Sequence, residues 1–166
     1  MGKKGNGGEL EVAKLLQVWW RQVEPDVEIV RTPGSGGWQY GPEFDACCDL
    51  MANKPFPWGV EVKRRERWDL NNLLKGKKTP PWRWWKKCQS DAERVSKEPV
   101  MWFRQNRRPW FVMLRSRYMS ALQVPAPDVV WTTAQLKGVD YGEALPVLYL
   151  ASRLLEEHPR VFAAKN

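Results

Sequence analysis

The chain has 166 residues and 43% hydrophobic content, which suits a single domain with a real core. With 27 Lys and Arg against 19 Asp and Glu, its formal net charge is +8. That balance favours a polyanionic partner, because each phosphate neutralised releases a counterion. Three cysteines (Cys47, Cys48 and Cys88), with no CxxC pair, argue against a disulfide framework or a structural zinc site. A single histidine, His158, argues against histidine-based catalysis. The expected setting is reducing and cytoplasmic, with no signal peptide and no apolar stretch long enough to span a membrane. The 11 tryptophans are assigned to the core by default, with base stacking as the alternative.

Met1 to Gly8 is a basic, glycine-rich leader, and Glu9 to Gln22 reads as a helix. Val12, Leu15, Leu16, Trp19 and Val23 recur at spacings of three and four, and Pro25 ends the pattern. Val27 to Arg31 alternates like a strand, and Thr32 to Gly37 is a Gly/Pro turn. Phe44 to Ala52 and Trp58 to Arg64 read as two strands of a hairpin across an Asn53 to Pro57 turn. Arg65 to Pro81 is basic and irregular, with a helical turn at Asp69 to Lys75. Trp82 to Lys97 reads as a helix whose stripe is Trp85, Cys88, Ala92 and Val95. Strands follow at Val100 to Arg104 and Trp110 to Arg115, joined by a turn at Gln105 to Pro109. After the breaks at Pro125 and Pro127, Val129 to Trp131 reads as a strand and Tyr141 to Glu157 as a helix, with Pro146 near its start. This order predicts an α/β fold, a mixed sheet flanked by helices. No internal repeat is present.

The chemistry concentrates in Asp49-Leu50-Met51-Ala52 and Gly59-Val60-Glu61-Val62-Lys63. Side chains alternate along a strand, so Val60 and Val62 point into the core while Glu61 and Lys63 share the opposite face. Asp49, in the neighbouring strand, can reach the same place. Carboxylate oxygens suit Mg2+, which binds through one or two protein carboxylates plus substrate phosphate. Such a site can activate water and stabilise charge on a phosphoryl centre. Lys63 would orient or deprotonate that water, or neutralise phosphate charge. A Glu-x-Lys pair alone also fits an ordinary solvent-facing strand.

Asp49 followed by Glu61-Val62-Lys63 resembles the core of the PD-(D/E)xK nucleases. More narrowly, residues 3 to 115 resemble the archaeal-type Holliday junction resolvases, including phage versions. Four stretches agree in order: Lys3-Lys4-Gly5 with Glu9, Arg31-Thr32-Pro33-Gly34-Ser35, Asp49-Leu50-Met51-Ala52, and Glu61-Val62-Lys63. The resemblance implies a restriction-endonuclease-like fold and a metal held by Asp49, Glu61 and Glu9, with Mg2+ as cofactor and Mn2+ as substitute. It makes Lys63 the catalytic lysine, sets Arg31 on a phosphate at or beside the cut, and puts Ser35 on a loop bordering the site. Glu9 also reads as a helix-start carboxylate favoured by the macrodipole, and Arg31 as a solvated strand end. Gln89, beside the stripe of its helix, reads either as a polar residue facing the metal site or as a half-wet boundary residue.

Cys48 stands before Asp49 where the family pattern has proline, and Asp45, four residues earlier, is a rival ligand. Lys3, Lys4, Arg64, Arg65, Lys75, Lys77 and Lys78 are candidate DNA contacts, and Arg104, Arg107 and Arg108 form a lesser cluster. Residues 1–118 form the expected nuclease core, and 119–166 a C-terminal extension packed on the same domain. The implied activity is resolution of four-way DNA junctions in the host cytoplasm by a homodimer, since symmetric resolution needs two cuts. The tail helix, with Leu145, Leu148, Leu154 and Leu155, is one candidate for the pairing surface. Alternatives are another nuclease of the superfamily, such as a recombination exonuclease or a general branched-DNA nuclease, and a DNA-binding protein without catalysis.

Overall fold

The computed structural model describes residues 3–33 and 48–163, residues 3–6 as backbone alone. Its first helix, α1 (Lys3–Trp20), begins at Lys3 rather than Glu9. The helix buries Val12, Ala13, Leu16, Trp19 and Trp20 on one face. Two short strands, β1 (Ile29–Arg31) and β2 (Leu50–Ala52), pair antiparallel as a separate ribbon with Arg31 opposite Leu50.

The main sheet has five strands in the order β3-β4-β5-β7-β6. These are β3 (Trp58–Arg64), β4 (Glu98–Arg104), β5 (Phe111–Arg115), β6 (Val129–Val130) and β7 (Pro146–Leu150). β3 and β4 run parallel, with Glu61 opposite Met101, and the other pairs are antiparallel. A parallel pair needs a crossover, and here it contains α2 (Leu70–Leu74) and α3 (Pro80–Glu93). The sheet is thus mixed and flanked by helices.

Strand alternation divides the core in two. Trp58, Val60, Val62, Val100, Trp102, Val112, Leu114, Val147 and Tyr149 pack with α1 and with residues of α4 (Ser116–Leu122) and α5 (Ala151–Glu156). On the other face, Met101, Phe103, Met113 and Leu148 pack with Trp82, Trp85 and Cys88 of α3 and with Trp131. Tryptophan therefore serves packing: among the described residues every tryptophan but Trp84 is buried. Some also hold polar backbone. The indoles of Trp68, Trp82 and Trp131 donate to the carbonyls of Arg65 (2.8 Å), Lys77 (2.8 Å) and Leu73 (3.2 Å). Three points of the basic segment between β3 and α3 are anchored this way.

Three further expectations change. The predicted helix Tyr141 to Glu157 is instead β7 followed by the short α5. Val147 and Tyr149 face one core and Leu148 the other. A strand buried on both sides gives a continuous apolar run with no period to read. Leu148 and Leu154 are buried, so no leucine-lined tail helix is offered to a partner. The hairpin of β2 with β3 does not form as a ladder. β2 pairs with β1 instead, and Asn53 fastens that pairing by accepting from Glu28 N–H at 2.8 Å and donating its own N–H to Glu28 O at 3.2 Å. The third change is at the end of α3, which stops at Glu93 rather than Lys97. There Ser96 turns left-handed (φ 56) and Lys97 N–H returns to Ala92 O at 3.0 Å.

Residues 119–166 supply β6 and β7, so they extend the sheet itself.

Candidate active site

Asp49 reaches β3 by hydrogen bonds rather than by a ladder. Its N–H donates to Val60 O at 2.9 Å, and its Oδ2 accepts from Val62 N–H at 2.7 Å. Between these two bonds lies Glu61, whose side chain is 2% exposed and points away from the α1 core as the alternation requires. Lys63, two residues on and on the same face, places Nζ 2.5 Å from Glu61 Oε1.

Helix α3 closes over this face because Gly59 has no side chain. A β-carbon at Gly59 would lie 2.7 Å from Ala92 Cβ and 3.1 Å from Cys48 Sγ. The close approach brings Lys87 to the site, with Nζ 4.0 Å from Glu61 Oε2. Asp49, Glu61, Lys87, Asp91 and Arg94 line one open cleft of about 390 Å³.

Both carboxyls are pushed above their ordinary values. For Asp49 burial is the main cause, with the negative charge of Glu9 adding to it and the Val62 N–H and Lys63 opposing. For Glu61 burial again leads, followed by the charge of Asp49, with Lys63 opposing. Desolvated carboxylates that repel one another favour a shared cation. Among the described residues no group of three or more His, Cys, Asp or Glu forms a ready cage. Two carboxylates opening on one cleft nevertheless suit a hard divalent ion that takes its remaining ligands from water and phosphate. The donor set fits a metal.

Of the other sequence-selected residues, Glu9 and Arg31 form an ion pair, and the influence of Glu9 on Asp49 places that pair beside the site. Thr32 N–H donates to Asp49 O at 2.8 Å, tying the end of β1 to the same carboxylate residue. Gln89 is not brought in. Its amide donates to Tyr141 O at 2.6 Å, and it lines a different pocket, with Lys86, Ser90 and Gly142. Arg64 is half-buried, and Arg65, Lys75, Lys77 and Lys78 are exposed. Ser35 and Asp45 lie outside the described residues, as do the side chains of Lys3 and Lys4. In the lesser cluster Arg104 is already engaged, 2.5 Å from Glu11 and 4.3 Å over the Trp110 ring, while Arg107 and Arg108 are exposed.

Sequence reasoning missed Lys87, Asp91 and Arg94. The available signal was their i, i+4, i+7 spacing along the flank of the Trp85, Cys88, Ala92 stripe.

The chain is 26% identical over 117 residues to Protein D14 of Escherichia phage T5, covering 69% of this chain and 70% of that protein. Among solved structures, Hjc, a Holliday junction resolvase from the archaeal hyperthermophile Archaeoglobus fulgidus, matches with a TM-score of 0.33 and 14% identity, over 78% of this chain and 91% of that one. A family model described as "Phage putative PDDEXK endonuclease" matches residues 2–150, and the chain belongs to that family of phage PD-(D/E)xK endonucleases.

Proposed function

We propose that this endonuclease cuts four-way DNA junctions by Mg2+-dependent phosphodiester hydrolysis, as a homodimer in the host cytoplasm. The observation that carries the reading is the convergence of Asp49 and Glu61 on one cleft, with Lys63 ion-paired to Glu61 and Asp49 bonded to the backbone on both sides of Glu61.

PD-(D/E)xK nucleases generally work with divalent metal ions. Here Asp49 and Glu61 would hold the metal, with Glu9 close by, and Mn2+ would substitute for Mg2+. Bound there, the ion would lower the pKa of a water and offset charge on the phosphate. Lys63, ion-paired with Glu61, would orient or deprotonate the attacking water or neutralise phosphate charge. Arg31, resting on Glu9, contacts a phosphate next to the cut. Lys3, Lys4, Ser35, Arg64, Arg65, Lys75, Lys77 and Lys78 hold the DNA backbone, which positions the duplex without reading its sequence. The junction preference draws support from the four sequence stretches that agree in order with the resolvases. The dimer follows from the need for two cuts.

The test is cleavage of matched four-way, three-way and linear DNA with and without Mg2+. The expected result is paired nicks at symmetric positions in the four-way junction, only with metal. Digestion of linear DNA from its ends, without junction preference, would replace this reading with an exonuclease. Binding without any cleavage would replace it with a non-catalytic DNA-binding role.

A further inference from the structure

We propose that Lys87 and Arg94, one on each side of Asp91, form a second phosphate subsite on α3 that grips the DNA strand beside the cut. The proposal rests on the placement of the cleavage site at Asp49 and Glu61.

Lys87, Asp91 and Arg94 lie at i, i+4 and i+7 and so share one stripe of α3 and its C-terminal end. That stripe lines the same cleft as the two carboxylates. Asp91 divides its oxygens between the cations: Oδ2 lies 2.5 Å from Lys87 Nζ, and Oδ1 lies 2.5 Å from Arg94 Nη2. The anion is inside and the cations are outside. The Asp91 side chain is 18% exposed, against 61% for Lys87 and 73% for Arg94. A short aspartate fixed at the wall thus holds two long, swinging stems at the mouth of the cleft. Lys87 Nζ also stands 4.0 Å from Glu61 Oε2, so it already faces the site.

Charge sets the timing. The formal charges of Asp49, Glu61 and Asp91 are matched by those of Lys63, Lys87 and Arg94. A phosphate competes with Asp91 for both cations, and a divalent cation on the carboxylates would tip the balance further in its favour. Both cations end on one Asp91 carboxylate, so their charged groups stand close enough to take neighbouring phosphates, Lys87 near the scissile position and Arg94 beside it.

The test uses Lys87→Gln, Arg94→Gln, the double variant, Lys87→Arg and Asp91→Asn in the full chain, each checked for an unchanged thermal midpoint. Binding of a duplex and of a four-way junction is measured across salt concentrations without metal. Each lost cation should lower the salt slope by about 0.9. Asp91→Asn, which frees both cations, should tighten binding several-fold, an effect that loss of a purely structural pair would not give. In single-turnover cleavage with Mg2+, Lys87→Gln should be slower by at least about 10-fold, and Lys87→Arg should recover most of the rate. An unchanged salt slope in the double variant, or weaker binding by Asp91→Asn, would overturn the subsite. If the unmodified protein cuts no DNA, the cleavage assignment falls, while the salt slopes still decide whether these cations meet phosphate.

Discussion

Arg115 and Glu61 are both charged, and both are buried against the sheet, yet their surroundings treat them in opposite ways. Arg115 meets Glu98 with a two-pronged contact, 2.7 Å at each oxygen, and adds Glu93 at 3.1 Å. Its donors are matched, and hydrogen bonding to Glu98 holds its ionised form against the pull of burial. Glu61 and Asp49 have lysines nearby but are still pushed upward, both by burial, Asp49 also by the charge of Glu9 and Glu61 also by that of Asp49. A buried charge with complete partners is architecture. A pair of carboxylates desolvated by burial, and open to a cleft, suits a cation.

The comparison breaks first at activity. Asp49→Ala or Glu61→Ala should slow single-turnover cleavage by more than about 100-fold, because even outer-shell losses around a metal cost about 10- to 100-fold. DNA affinity should stay near that of the unmodified protein, since it rests on the basic surface. Near-normal cutting by either variant would remove the distinction between the two clusters.

A smaller effect belongs to the other cluster. Arg115→Ala leaves Glu98 half-buried without its partner and should cost about 3 kcal/mol in urea unfolding. Cleavage per folded molecule should not change. A variant as stable as the parent would show that the Arg115 cluster is not structural.

The smallest effect is in pH. A carboxyl whose folded pKa is raised keeps its proton in the folded state after the unfolded chain has lost it. Stability then falls as pH rises from the ordinary values of 3.8 for Asp49 and 4.5 for Glu61 through the raised folded ones. Without metal, the double variant Asp49→Asn, Glu61→Gln should therefore gain thermal stability over the parent as pH rises through that window. The expected gain is a few degrees, and saturating Mg2+ should shrink it by stabilising only the parent. A difference that stays flat with pH would mean that the two carboxyls carry no such strain.

Much of the site is legible in the sequence because a strand is a simple object. Two-residue alternation puts Glu61 and Lys63 together and turns Val60 and Val62 inward, and the structure keeps that arrangement. The helix residues are another matter. Whether Lys87 or Gln89 meets the strand depends on how closely α3 approaches, and that is set by Gly59 against Ala92. Gln89 is also claimed from the far side. Gly142 sits at φ +85, so close that a β-carbon there would lie 2.4 Å from Gln89 Nε2. Neither contact is local in sequence, so no periodicity reports it. The tail fails for a further reason. Leu145 to Leu150 is apolar throughout because both of its faces are covered, which erases the pattern that separates strand from helix.

β3 lies at one end of the sheet order, with β4 on a single side. An open strand edge invites another chain to add to it. Among the described residues no full strand covers the edge. Asp49 meets it instead, giving its N–H to Val60 O and taking Val62 N–H on its carboxylate. The residue assigned to hold the metal therefore also stoppers the sheet against intermolecular strand addition. If Asp49 holds the metal as proposed, a substitution there that silences cleavage would also free the Val62 N–H of an edge strand for other copies of the chain.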